Sequence, residues 1–133
     1  MGVVKAIDAA GPDYFHFSKH ILSAPKREDL PEDFPCAQTV YDASILRKAV
    51  RVPVMVSFNI SRPEQARYLL EHDMADLVTV GRGMLADYDW TRKAREGEEV
   101  DECRHCPACQ WRIDSHLCPA VRQRLEQGAQ EPQ

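Results

Sequence analysis

The chain has 133 residues, 44% of them hydrophobic and 29% charged, which is the profile of a folded soluble domain with a modest core. Its formal net charge of −4 argues against a nucleic-acid partner, and no apolar run approaches the ~20 residues of a membrane-spanning helix. The N-terminus lacks the basic stretch and apolar core of a signal peptide, so the expected location is cytoplasmic.

Residues 2–10 are rich in Val, Ala and Ile at helical spacing, and Gly11 suits a helix C-cap. The aromatic run from Asp13 to Ser18 predicts a short strand. Residues 19–40, with prolines at 25, 31 and 35, predict a long loop. Asp42 is placed to cap a helix with Ala43, Leu46, Ala49 and Val50 on its apolar face. Val52 to Ser57 is the clearest strand, apolar on both faces as in a parallel strand covered on both sides. Ser61 and Glu64 have the spacing of a capping box, with Pro63 in the first turn of a helix running through Ala66, Leu69 and Leu70.

A further strand is expected over Ala75 to Val80, running into a turn at Gly81 and Arg82. Asp89 could cap a helix through Trp90, Lys93 and Ala94 that ends near Gly97. Arg92, Lys93 and Arg95, followed by the acidic run Glu96 to Glu102, read as a solvated helix face. Tyr14, Phe15, Tyr68 and Trp90 read as packing residues. A charged helix over 121–127 and a polar, disordered tail over 128–133 complete the chain. The alternation of helices and strands implies an α/β fold with parallel strands.

Four of the five cysteines, Cys103, Cys106, Cys109 and Cys118, form a C-x2-C-x2-C-x8-C array. In a reducing compartment such clustering favours metal over disulfides, and C-x2-C pairs let two sulfurs reach one ion or cluster from a tight turn. The residues alone leave open an iron–sulfur cluster, tetrahedral zinc or no metal, with His105 and His116 close enough in sequence to replace a thiolate. Cys36 stands apart between prolines.

Several segments in order resemble the C-terminal part of the old yellow enzyme family, in the branch of NADH:flavin oxidoreductases related to 2,4-dienoyl-CoA reductase. They are Ala9 to Ser18, Val52 to Ile60, Pro63 to Ala66, Ala75 to Asp87 and Trp90 to Gly97, followed by the cysteines. The resemblance implies a partial (β/α)8 barrel of the TIM type, with strands like the sixth to eighth of the eight such barrels contain. It divides the chain into a flavin-binding barrel portion (1–97), a Cys-rich segment (98–127) and the tail. It implies FMN held at Ser57, Phe58, Asn59, Gly81 and Arg82, because loops after the last two strands of such barrels bind cofactor phosphate. Phe58 stands where many relatives have glycine or a small polar residue.

It further implies a [4Fe–4S] cluster on the four cysteines, although the family has longer second and third gaps, and NAD(P)H as co-substrate of the intact protein. The substrate class would be a small enone or enoyl compound. His16 and His20 are the candidates for proton handling near substrate, though a strand histidine can equally be structural. Three strands leave two open edges and a bare inner face. The expected partners are therefore a second copy of the chain or a separately encoded N-terminal barrel half, and the chain alone is not expected to turn over. The competing reading is a non-enzymatic zinc or iron–sulfur interaction module on a relic half-barrel.

Overall fold

The computed structural model describes residues 2–18 and 26–128. His20 and the tail beyond Gly128 lie outside them. The described chain is mixed α/β, with one three-stranded parallel sheet and six α-helices. It divides into two compact units, 1–60 with 64–79, and 61–63 with 80–133. No helix among the described residues is long and apolar enough to cross a membrane.

The first unit contains α1 (Gly2–Ala9), β1 (Phe15–Phe17), α2 (Gln38–Arg47), β2 (Val54–Ser57), most of α3 (Pro63–Glu71) and β3 (Leu77–Thr79). Gly11 closes α1 at φ 78°, a conformation glycine adopts without steric cost. The sheet order is β1-β2-β3, with Phe17 opposite Val56 and Val56 opposite Val78. Side chains alternate across a strand, so this register sorts the residues by face. Val54 and Val56 point into the core and are 0% and 1% exposed. Val40, Ala43, Ile60, Leu69 and Ala75 are buried in the same unit.

The other face carries His16, Met55, Ser57, Leu77 and Thr79, and here Leu77 is 45% exposed. The expectation of a strand covered on both faces therefore holds for one face only. Helices bury the valine face and leave the opposite face only partly covered.

One further expectation is corrected. Asp42 does not cap α2, which starts four residues earlier after Ala37, with no side-chain cap. Asp42 instead faces Arg27 at 3.4 Å. The loop over 26–37 is held down by specific contacts. Arg27 grips both carboxylate oxygens of Asp29 at 2.7 Å. Phe34 packs edge-on against Tyr41 and Tyr68, and the Gln65 amide donates to the Pro35 carbonyl at 2.8 Å. Asp8 is a buried carboxylate that accepts from the backbone N–H and Nε of Arg51 at 3.1 and 3.0 Å, tying α1 to the start of β2. Asp76 ties the ends of β2 and β3 together by accepting the Val54 N–H at 2.7 Å.

The second unit holds α4 (Arg82–Ala86), α5 (Trp90–Glu96), the cysteine segment with 3-10 turns at 110–112 and 115–117, and α6 (Pro119–Gly128). Gly97 ends α5 at φ 74°, as expected. Asp89 gives α5 no side-chain cap; its carboxylate pairs with Arg92 at 3.0 Å instead. The turn expected at Gly81 and Arg82 is the start of α4, a helix too short to show helical periodicity in the sequence. Gly83 has a packing role. A Cβ there would lie 2.8 Å from Val80 Cγ1 and 3.2 Å from the Ser61 backbone, so only glycine allows this approach.

Candidate functional site

β2 ends on Ser57, and the chain then bends through two residues of positive φ, Phe58 at 135° and Asn59 at 52°. Asparagine tolerates the left-handed region well. Phe58 sits in a conformation that is ordinarily glycine's, at a cost of about 1–3 kcal/mol. The backbone thus keeps a glycine-type bend that its side chain opposes. Phe58→Gly is expected to raise stability by roughly 1 kcal/mol, the strain released less the packing lost. Urea denaturation checks this; a lower midpoint would show that the phenyl ring's contacts outweigh the strain.

Ser57 and His16, candidates for different roles, meet in the structure. Ser57 Oγ lies 3.1 Å from His16 Nε2 and 3.4 Å from the Phe17 carbonyl. A hydroxyl has one proton, so when it donates to the carbonyl the imidazole Nε2–H donates to it. His16 is solvent-exposed on the open face of the sheet.

Ser57, Phe58 and Asn59 belong to the first unit, and Gly81 and Arg82 to the second. A Cβ on Gly81 would meet nothing within 4 Å, so a ligand can approach the backbone there. Arg82 opens α4.

All four clustered cysteines are half-buried free thiols. In number and softness they fit a thiolate-binding metal or cluster. They are not gathered: among the described residues no three His, Cys, Asp or Glu side chains stand in an arrangement that holds a metal ion. The segment would have to draw inward, an ordering that metal binding itself drives. It is anchored between its first two cysteines at His105, which takes φ 50° and brings Nε2 within 3.3 Å of Ser61 Oγ. The Ser61 carbonyl in turn accepts the Trp90 indole N–H at 2.7 Å. His105 therefore has one ring nitrogen engaged away from the thiols.

The sequence reading missed Asp87. It is 1% exposed, yet it carries a charge. Its carboxylate accepts from Lys93 Nζ at 2.7 Å, the Asp89 N–H at 2.9 Å and the Asp101 N–H at 3.0 Å. Lys93, expected on a solvated face, is thus drawn inward. The available signal was the placement of an aspartate directly after the apolar Met84, Leu85 and Ala86. Burial pushes the Asp87 pKa up, but the Lys93 hydrogen bond and the two backbone N–H groups outweigh it. The net position is below the ordinary 3.8.

A depressed folded-state pKa means the stabilisation is complete above the unfolded value and disappears as pH falls through the folded one. Lys93 is raised above its ordinary 10.5, chiefly by its hydrogen bond to Asp87, so its contribution is lost only at strongly alkaline pH. The urea midpoint is therefore expected to fall below about pH 4, and Asp87→Asn should flatten part of that slope. An unchanged acid slope in the variant would assign it to other carboxylates.

No family model matches the chain. It is 35% identical over 107 residues to an NADH oxidase of Thermoanaerobacter brockii, a match covering 80% of this chain and 16% of that protein. It is 31% identical over 108 residues to a bilirubin reductase of Mediterraneibacter gnavus, covering 79% and 16%. It is 30% identical over 121 residues to an NADH:fumarate oxidoreductase of Klebsiella pneumoniae, covering 85% and 13%. The chain is a sequence relative of oxidoreductases, and it spans about a sixth or less of their length.

Proposed function

We propose that residues 1–97 form the C-terminal arc of a flavin-binding (β/α)8 barrel in an NAD(P)H-dependent oxidoreductase of the old yellow enzyme type, and that residues 98–127 carry its four-thiolate centre. The observation that supports this most is the parallel sheet. One face is buried under helices and the other is open, and β2 ends in a glycine-type bend at Phe58 and Asn59. Ligand sites of barrels gather at such strand ends. The similarity to oxidoreductases over about 80% of the chain supports the same reading.

In this reading Ser57, Phe58 and Asn59 offer backbone and side-chain donors to an anionic phosphate, and Gly81 leaves the backbone approachable. Arg82 adds a fixed positive charge and a planar group able to lie against a ring. FMN bound there would supply hydride transfer from a reduced nicotinamide to an activated alkene of the enone or enoyl class. A [4Fe–4S] cluster on Cys103, Cys106, Cys109 and Cys118 would supply single-electron transfer to that flavin. His16, held by Ser57 on the open face, is the one proton-handling candidate among the described residues. Further strands complete the barrel, on the same polypeptide, on a partner or on a second copy.

The short gaps in the cysteine array favour one alternative, a zinc or iron–sulfur interaction module without turnover.

Titration of FMN against riboflavin, followed by flavin fluorescence, tests the phosphate site. FMN is expected to bind more tightly than riboflavin. Arg82→Ala should remove roughly tenfold or more of that preference, the size of a charged hydrogen bond. Equal binding of the two flavins would overturn the phosphate assignment.

A further inference from the structure

Two carboxylates and two cations form one cluster that draws on residues to either side of the cysteine array. Asp87 accepts the Asp101 N–H at 3.0 Å and Lys93 Nζ at 2.7 Å. Arg124 Nη1 reaches the Asp101 carboxylate at 3.3 Å, the Asp87 carboxylate at 3.8 Å and the Ala86 carbonyl at 3.0 Å. Its guanidinium also lies over the Tyr88 ring, 4.7 Å from the centroid. The two anions and two cations balance.

The positions of these groups along the chain matter more than their charge. Asp101 lies two residues before Cys103. Arg124 is on α6, whose first residue follows Cys118 directly. Buried Val100, Ala120 and Val121 seat the same two stretches of chain. One buried carboxylate therefore holds the chain where it runs into the cysteine array and where it leaves it.

We propose that Asp87 is a positioning residue for the four-cysteine centre, acting through Asp101 and Arg124 to fix the separation of its first and last thiols. This rests on the reading that those cysteines hold a metal. Drawing four thiols onto one centre costs the conformational freedom of the loop between them. With both ends already held, part of that cost is met in the fold, and affinity rises by preorganisation.

A merely structural carboxylate would behave differently. Its loss would lower stability equally with and without metal and leave the folded protein's metal affinity unchanged.

The test is a Co(II) titration of the reduced protein under anaerobic conditions, read by thiolate-to-cobalt absorption and by competition with Zn(II). Asp87→Asn is expected to weaken both metals about tenfold or more, the range found when groups supporting metal ligands are removed. Circular dichroism in the same samples reports whether the fold is kept. Asp101→Asn, which keeps the Asp87 bond to the Asp101 N–H but removes the carboxylate facing Arg124, should weaken binding to a smaller degree. If Asp87→Asn does not fold, Arg124→Gln carries the same expectation for the outgoing end. Affinities within twofold of wild type in folded variants would overturn the proposal. Absence of thiolate-to-cobalt absorption in the wild-type protein would instead overturn the four-thiolate reading on which it rests.

Discussion

Leu69→Ala is expected to lower the unfolding free energy by about 2–5 kcal/mol, the range for deleting a buried leucine side chain. Leu69 is 0% exposed, in the unit whose core also holds Val54, Val56 and Val40. That core is small, and domains of this size have only about 5–15 kcal/mol in total. The variant should therefore be largely unfolded near physiological temperature, or show a much lower urea midpoint at unchanged slope. Leu70 is the internal control. It follows Leu69 on α3 but is 48% exposed, so Leu70→Ala should change stability by no more than ~0.5 kcal/mol. Equal effects at the two positions would mean that the burial assigned to α3 is wrong.

Cys106→Ser is expected to abolish metal-linked stabilisation. A ligand bound only by the folded protein adds about 2.7 kcal/mol at a hundred times its Kd. Wild-type protein should show that gain in a thermal or urea transition with Zn(II) or after iron–sulfur reconstitution, and Cys106→Ser should lose nearly all of it. Serine keeps the volume of the side chain but not the soft thiolate. Cys36→Ser, altering the cysteine outside the array, should retain the full gain. A metal-linked gain that survives at Cys106→Ser would point to donors other than the four thiols.

What the sequence makes legible follows from the range of each signal. β2 is plain because its residues form a short apolar, β-branched run. α5 is plain because Trp90 and Gly97 mark its ends. These are local cues, and local cues survive folding. The one-sided burial of β2 is not legible, because apolar Met55 resembles Val54 and Val56 in composition and only packing separates them.

Asp42 and Asp89 both have cap-type spacing, yet arginines take their carboxylates, Arg27 from a distant loop and Arg92 from the first turn of α5. Lys93 looks solvated beside Arg92 and Arg95 until Asp87 is seen buried opposite it. The ordering of residues 26–37 depends on Phe34 finding Tyr41 and Tyr68, which no run of three prolines announces.

The candidate site divides in the same way. The glycine-type bend at Phe58 was indicated by a departure from a family pattern, and the backbone gives that departure a physical cost. The meeting of His16 with Ser57 joins residues forty-one positions apart and needed the strand register. The clamp from Asp87 to Asp101 and Arg124 joins three separate stretches of chain and had no linear signature.

The most direct test of the central claim is a visible absorption spectrum of the protein purified without oxygen, with iron, sulfide and zinc measured on the same sample. The account predicts a broad iron–sulfur band that is bleached by reductant and absent from Cys106→Ser, together with flavin bands that stay with the protein after added FMN is removed by gel filtration. A colourless protein free of iron, unable to take up a cluster on reconstitution and indifferent to FMN, would contradict it.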